Sequence, residues 1–523
     1  MTNAISLLKA GYFPRELPPP FSTLSYATLF ERKKASFPNV FDKTVKPAVT
    51  SSACPHNLAR AGSLRRRLSI PNPINYLQLA VQIESDWTSL HAHFTKSKLS
   101  LSTPDLANAG ARAVGRRHNL DELPTFRAKL RASSRYILSS DISSFYPTIY
   151  THAVPWALSG KAASKKAKTS PSLLGNELDR LVRNGQDGQT IGIPIGPDTS
   201  LVLAETLLAA VDEALLKGGP VNGFRYMDDF EFGFRTQAEA EQFLARLQSA
   251  VHEVELQLNP RKTAISPLPE PVEPPWVSEL RTFLFRAGSK SQHYDLIRYF
   301  NRAFEHRNQT PEQPVLKYAV SRLNATSVDS ANWPIFQHLL LQSVSSEPGS
   351  LPFVIEQFKF YGDAGYPLDI PTLTAALSGV IAIHAPLGHG SEVAWAMWGA
   401  LLFGLKIDPT AVAALGSMED SVVALLSLDA NSQGLLGAGF VSPLWTSLMT
   451  SEELVDEQWL LAYEANVQGW LPGAGGKDNV SLVPSFSFLK AEGVRFYDPS
   501  VRASYKASRS SQTSGGGGGG YPQ

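Results

Sequence analysis

The stretch Phe224-Arg225-Tyr226-Met227-Asp228-Asp229-Phe230-Glu231-Phe232-Gly233-Phe234 constrains this chain more than any other. Phe230, Phe232 and Phe234 alternate with a period of two, the mark of a strand with one buried face. Apolar residues also precede the two acids, so Asp228 and Asp229 are expected at the tip of a hairpin. Two carboxylates at one turn repel each other unless a cation lies beside them, and hard cations such as Mg²⁺ take carboxylate oxygens. An Asp-Asp pair is ordinarily a solvated turn. Here the flanking strands are hydrophobic, and a third acid, Asp141, ends the apolar strand Tyr136-Ile137-Leu138-Ser139-Ser140. Asp141 lies 87 positions before Asp228, so the acids meet only through the fold.

At 523 residues the chain exceeds one ordinary core, and two or three domains are expected. With 43% apolar and 18% charged residues it has the composition of a soluble globular protein. Cys54 is the only cysteine, which excludes a disulfide framework and a cysteine-based metal site and fits a reducing cytoplasm. The first twenty residues lack a signal pattern. The apolar runs Ile370–Ile383 and Val393–Leu405, 14 and 13 residues long, are shorter than a bilayer span, so no membrane association is expected. Net charge is +1, yet residues 31–135 hold 18 Lys and Arg against 7 Asp and Glu, a net +11. Such a basic third suits a polyanion or a nucleoside triphosphate, with a solvated face as the plainer alternative.

Residues 1–30, with Pro14, Pro18, Pro19 and Pro20 among Tyr12 and Tyr26, read as an extended arm. Arg65, Arg66 and Arg67 precede a turn and a helix; three adjacent arginines cannot all be buried, so some face solvent or phosphate. The stretch 160–169, with Lys161, Lys165, Lys166 and Lys168, reads as an exposed basic loop. Thr190-Ile-Gly-Ile-Pro-Ile-Gly-Pro-Asp-Thr-Ser200 is a Gly/Pro turn that opens a helix over about 201–216. Its glycines allow close backbone approach, and the helix N-terminus favours an anion. Thr236 is expected to cap an amphipathic helix reaching about residue 256. Residues 276–286 read as a short strand-containing segment. From about 289, helical patterns alternate with Pro/Gly breaks, from Tyr294–Glu305 through Trp333–Ser346 and Pro409–Leu415 to Glu452–Trp470, which predicts a HEAT-like or solenoid-like helical domain. His384 and His389 flank one such break and read as structural. The Gly/Ser-rich tail is expected to be disordered.

Three carboxylates, Asp141, Asp228 and Asp229, suffice to hold two Mg²⁺ ions, roughly 3.5–4 Å apart, which Mn²⁺ also fits. Such a pair activates a 3′-hydroxyl and stabilises a pyrophosphate leaving group. At this point four segments resemble, in order, the palm motifs of reverse transcriptases: Asp141 with Tyr146, Gly192-Ile-Pro-Ile-Gly-Pro197, Tyr226-Met-Asp-Asp229 and Leu258-Asn-Pro-Arg-Lys-Thr263. The resemblance implies an α/β right-hand polymerase, with an N-terminal arm (1–30), basic fingers (31–135), a palm (136–288), an all-α helical-repeat domain in place of a thumb (289–506) and a tail (507–523). It implies Asp141, Asp228, Asp229 and Lys262 as catalytic residues, with Ile142 as a further metal and substrate contact. Tyr146 occupies the steric-gate position that selects dNTPs, and Lys262 is placed to neutralise pyrophosphate. Pro194, Gly196, Tyr226 and Met227 are expected around the nucleotide and primer end, and Arg127, Lys129 and Arg131 on the triphosphate. Many members carry glutamine where this chain has Ile195, so a side-chain hydrogen bond near the nucleotide is missing.

Ile193-Pro-Ile-Gly-Pro197, Arg65-Arg-Arg-Leu-Ser-Ile-Pro-Asn-Pro73 and Trp459-Leu-Leu-Ala-Tyr-Glu-Ala-Asn466 resemble bacterial abortive-infection and other defence-associated reverse transcriptases. That likeness implies a cytoplasmic bacterial enzyme acting against phage, often as a homo-oligomer, with dNTPs as substrates and DNA as product. Priming from a protein tyrosine without a template is one expectation, for which Tyr12 is a candidate nucleophile. Copying of a bound non-coding RNA is the alternative, and a non-catalytic RNA- or protein-binding scaffold is a third.

Overall fold

The computed structural model describes residues 3–33, 50–62, 64–108, 110–168, 170 and 173–507. The Gly/Ser-rich tail beyond Ala507 and part of the basic N-terminal stretch lie outside the described residues. Strands β1 (Cys54–Leu58) and β2 (Arg66–Ile70) form one antiparallel hairpin, and β3 (Pro104–Asp105) pairs with β4 (Gly115–Arg116). The main sheet contains β5 (Tyr136–Asp141), β6 (Gly223–Tyr226), β7 (Asp229–Phe234) and β8 (Ala264–Pro267). It is antiparallel, in the order β6-β7-β5-β8.

The period of two in β7 does what alternation dictates. Phe232 and Phe234 put their rings 4.5 and 5.3 Å from Phe243 on the helix Gln237–His252. That helix starts where expected, with Thr236 and Glu239 forming a capping box, and it ends a turn earlier than the sequence implies. The other face of the sheet carries Glu231 and lies under the helix Leu123–Arg131. There Arg127 Nε donates to Glu231 Oε1 at 2.5 Å. Behind the sheet runs the helix Asp198–Leu216, buried along most of its length against the helices Pro73–Phe94, Ala153–Ser159 and Gln237–His252. Arg225, fully buried in β6, ties that helix to the sheet through Glu205 at 2.9 Å and Asp212 at 2.7 Å.

Three expectations are corrected. The N-terminal residues are not an extended arm. Asn3 caps a helix, Ala4–Ala10, the prolines fall in the connection, and a second helix spans Leu24–Lys33. Residues Pro275–Thr282 are helical, with proline in the first turn and Trp276, Val277 and Leu280 buried on one side. The basic stretch contains a short helix, Lys161–Lys166, whose Lys161 ammonium sits 4.3 Å from the Trp156 ring centroid.

From Ser289 onward the structure is helical among the described residues. The helices Trp333–Ser346 and Pro409–Leu415 have the expected bounds, whereas Glu452–Trp470 divides into a 3₁₀ turn, Glu453–Val455, and an α-helix, Trp459–Val467. Helix Ile370–His384 packs on Gly390–Phe403, which packs on Ser421–Ser432, which packs on Trp459–Val467. With its 3₁₀ extension, Ile370–Leu387 reaches 18 residues and is long and apolar enough to cross a membrane by length and composition, because His384 interrupts the apolar run without adding a formal charge. In the fold, Leu373, Leu377, Val380 and Ile381 of this helix are buried. Hairpin β1–β2 docks on these helices: Asn57 Nδ2 donates to Gly388 O at 3.0 Å, Ala59 N to Ser391 Oγ at 2.7 Å, and Arg65 Nη2 to Glu392 Oε2 at 2.6 Å.

Candidate active site

Strand register assembles the acids. Asp229 opens β7 and pairs with Tyr226 on one side and Asp141 on the other. The two-residue turn is therefore Met227-Asp228, not Asp228-Asp229, and Asp229 is the first residue of its strand. Met227 holds φ +54°, a left-handed conformation that costs a side-chain-bearing residue energy. Its backbone is held by Ser102 Oγ, which accepts from Met227 N at 2.7 Å, and by Arg225 Nη1, which donates to Met227 O at 2.8 Å. Ile142 N donates to Asp228 O at 3.3 Å and so links the end of β5 to the turn.

The segment Leu258–Thr263 completes the cluster. Asn259 N donates to Asp141 O at 2.7 Å and Asn259 Nδ2 to Asp141 Oδ1 at 3.2 Å. Asn259 O accepts from Lys262 N at 3.1 Å and Thr263 Oγ1 at 2.8 Å, folding a tight turn. Lys262 Nζ then donates to Asp141 Oδ2 at 2.5 Å.

The electrostatics are those of acids short of positive partners. Asp229 is pushed up to about 7 by desolvation and by Asp228 and Asp141. Asp228 is raised by desolvation and Asp141, with Lys262 and Arg66 opposing. Burial works to lower the Lys262 ammonium, yet its hydrogen bond to Asp141 and the charge of all three acids raise it. Asp228 and Asp229, whose ionisation burial and neighbouring carboxylates disfavour, form with Asp141 a set of three oxygen donors that fits divalent cations, which would relieve the repulsion.

The nucleotide-side candidates lie around this cluster. Tyr146 follows Ser144, a second left-handed residue at φ +46°, and Tyr146 O accepts from Ile193 N at 3.0 Å. That bond joins the Gly/Pro turn, with Pro194 and Gly196, to the Tyr146 helix. Ile195 supplies a backbone bond in place of a side-chain one: its carbonyl accepts from Ser69 N of β2 at 3.0 Å. Gly196 has φ +127°, and a Cβ there would lie 2.5 Å from the Pro14 ring, so its close approach is to the N-terminal segment. The following helix N-terminus, expected to favour an anion, holds the chain's own carboxylate. Asp198 accepts from Ala113 N at 2.9 Å, Val114 N at 3.0 Å and Arg112 Nη2 at 2.5 Å.

Other candidates are not brought to the cluster. Arg127 and Arg131 bond Val272 O at 3.2 Å and Pro271 O at 2.7 Å and pair with Glu231, pinning their helix to the sheet. Lys129 is exposed on that helix. Tyr12 is fully buried, stacked on Tyr76 with centroids 4.1 Å apart, and its hydroxyl donates to Pro71 O at 2.6 Å. It is a core residue rather than a side chain on a mobile arm.

Besides Lys262, the cations Arg66 and Arg116 lie beside the site. Arg66 is lowered by burial and by Arg60, while Glu16, Asp228 and Tyr146 act the other way. Arg116 Nη1 donates to the Tyr226 hydroxyl at 3.5 Å, with its guanidinium 5.7 Å from that ring's centroid. The arginine triplet was readable as a strand. Arg65, just before β2, and Arg67 within it pair with Glu392 and Glu457 of the C-terminal region, which leaves Arg66 for the other side. Asn259 lies within the Leu258–Thr263 motif, but an uncharged amide beside Lys262 carries no sequence signal of its own.

Comparison with known proteins places this geometry. Residues 97–288 match the family described as reverse transcriptase (RNA-dependent DNA polymerase). No curated protein matches the chain. A solved structure of apo telomerase from Candida tropicalis aligns over 68% of this chain and 69% of its own, at 11% identity and a TM-score of 0.30, a likeness too slight to carry an argument. Reverse transcriptase domains use divalent metal ions and act on nucleotides and nucleic acid. Residues 97–288 carry a reverse transcriptase domain, and the protein is an RNA-directed DNA polymerase-like nucleotidyltransferase.

Proposed function

We propose that this chain polymerises dNTPs by two-metal phosphoryl transfer in bacterial antiphage defence. The observation that carries the chemistry is the convergence of Asp141, Asp228 and Asp229 with Lys262 at one end of the sheet. Asp141, Asp228, Asp229 and Ile142 would hold two Mg²⁺ ions, which lower the pKa of the attacking hydroxyl and neutralise the leaving pyrophosphate. Asn259 fixes the Asp141 carboxylate in one orientation. Lys262, its protonated form favoured by the three acids, would neutralise the departing pyrophosphate. Arg66 and Arg116 replace Arg127, Lys129 and Arg131 as the cations beside the incoming triphosphate, and the Tyr146 ring screens the sugar 2′ position.

The C-terminal helices serve in this reading as a HEAT-like substitute for the thumb, and the defence role rests on the resemblance of three sequence segments. Tyr12 is withdrawn as priming nucleophile, since its hydroxyl is sealed in the core. A bound RNA template is then the simpler source of sequence. The deciding experiment incubates purified protein with Mg²⁺ and labelled dNTPs, without added primer or template. Products are run on denaturing gels before and after protease, with and without prior RNase. Product lost after RNase supports the RNA template. Product that migrates with protein until proteolysis restores tyrosine priming at another residue. If Asp228→Ala yields the same product as wild type, the site assignment fails.

A further inference from the structure

Two histidines unused by the polymerase chemistry meet a glutamate where hairpin β1–β2 joins the C-terminal helices. His384 ends the helix Ile370–His384, His389 precedes the helix Gly390–Phe403, and Glu392 lies in the first turn of that helix. The 3₁₀ turn Ala385–Leu387 and Gly388, at φ +65°, reverse the chain between them. His389 N donates to His384 O at 3.1 Å and closes the reversal. The two imidazole Nδ1 atoms lie 2.8 Å apart, and each is 3.8 Å from Glu392 Oε1. All three donor atoms fall within 4.8 Å of one another. A tetrahedral ion with bonds of roughly 2.0–2.1 Å sets its ligand atoms about 3.3 Å apart, so shifts of under about 1 Å seat it.

The surroundings favour ligation. Each imidazole can give an Nδ1 lone pair to an ion only in its neutral form; burial and Arg65 favour that form and the Glu392 carboxylate opposes it. Two neutral rings in such contact are satisfied only if one presents Nδ1–H to the other; an ion between them uses both lone pairs. The Glu392 carboxylate is fixed by an Arg65 fork, with Nη1 on Oε1 and Nη2 on Oε2 at 2.6 Å, and by Ser391 Oγ on Oε2 at 2.8 Å; Oε1, which already accepts from Arg65, has its second lone pair left for an ion. Such outer contacts orient a metal ligand. The Arg65 charge opposes a cation, which moderates the affinity without removing the donor set.

We propose that His384, His389 and Glu392 bind one Zn²⁺-like ion through the two Nδ1 atoms and Glu392 Oε1, with water in a fourth position. The ion has a structural task. It ties the ends of two helices together and, through Glu392 and Arg65, to strand β2, whose opposite face carries Arg66 toward the acidic cluster.

The test uses the full chain, stripped with chelator and returned to excess Mg²⁺ so that the palm carboxylates are occupied. Zn²⁺ alone is titrated, with uptake measured by elemental analysis and stability by thermal melt; Co²⁺ reports geometry by its visible spectrum. The expected result is one Zn²⁺ per chain, a higher melting temperature and a four-coordinate Co²⁺ spectrum. His384→Gln/His389→Gln is expected to lower affinity at least tenfold. Should the double variant misfold, the single His389→Ala change, at a partly exposed side chain, is read the same way, with its metal-free melt as control. No stoichiometric uptake by wild type, a six-coordinate Co²⁺ spectrum, or equal affinity in the variant would each overturn the site and leave a histidine–glutamate–arginine hydrogen-bond network.

Discussion

Asp141 is held from three directions: its carbonyl accepts from Asn259 N, and its carboxylate from Asn259 Nδ2 and Lys262 Nζ. On the proposed two-metal reading, replacing Asp141 or Asp228 with alanine would remove a metal ligand worth several kcal/mol in the transition state, so synthesis is expected to fall by about 10³-fold or more. Asn259→Ala leaves the ligands in place but frees Asp141 to rotate. It is expected to lower incorporation by roughly 10-fold and to raise the Mg²⁺ requirement, with the thermal melt little changed. A second residue-scale prediction lies far from the chemistry. Glu464 is fully buried, accepts from Phe496 N and Gln468 Nε2 at 2.8 Å, and is pushed up to about 7 by burial. A carboxyl whose pKa is raised by folding stabilises the fold while protonated. That contribution is full below the unfolded value near about 4.3 and fades as pH climbs through about 7. Urea unfolding is expected to show about 1.4 kcal/mol less stability from this group at pH 8 than at pH 6, and Glu464→Gln should flatten the difference.

At the scale of elements, the β6–β7 hairpin depends on close packing. A Cβ at Gly223 would lie 2.5 Å from Glu231 O and 2.3 Å from the Phe232 ring. Gly223→Ala is expected to cost about 1–3 kcal/mol and to reduce synthesis by shifting the Met227-Asp228 turn, as denaturation and incorporation assays will measure. This hairpin was largely legible, because three phenylalanines at a spacing of two admit one period and the two acids admit few neighbours. The capped helix after Thr236 and the helix Trp333–Ser346 were legible for the same reason: a local signal coincided with the tertiary outcome. The failures have a common physical source. Proline in Pro275–Thr282 and among residues 14–20 acts as a breaker in the sequence, yet it sits at a helix start in one case and between two helices in the other. Arg127 and Arg131 could not be told from Arg66 by charge. Only the docking of their helix on Glu231 shows that their charge is already taken. Within the acidic cluster the residues were readable but the register was not, since a one-residue slip decides whether Asp229 is turn or strand.

At the scale of the molecule, the two ends of the chain are built into each other. Phe21 bridges to Tyr497, Ser22 N donates to Phe496 O at 3.1 Å, and Asp498 N donates to Pro20 O at 2.9 Å. Phe496 packs edge-on against both Tyr12 and Tyr26. Deleting residues 1–33 removes Phe21 and both tyrosines and would uncover Phe496, Tyr497 and Tyr76. The expected product is a chain that binds hydrophobic dyes and loses its cooperative melt, checked by fluorescence and calorimetry. The same closure bears on the order in which the protein is made. A ribosome finishes every polymerase motif once Thr263 has been added, but the segment around Phe496 that locks Tyr12, and with it the Gly11–Pro14 backing of the Gly196 turn, emerges far later. During synthesis the nascent chain therefore holds its motif acids without the wall behind them, and polymerisation is expected only after the segment around Phe496 has emerged.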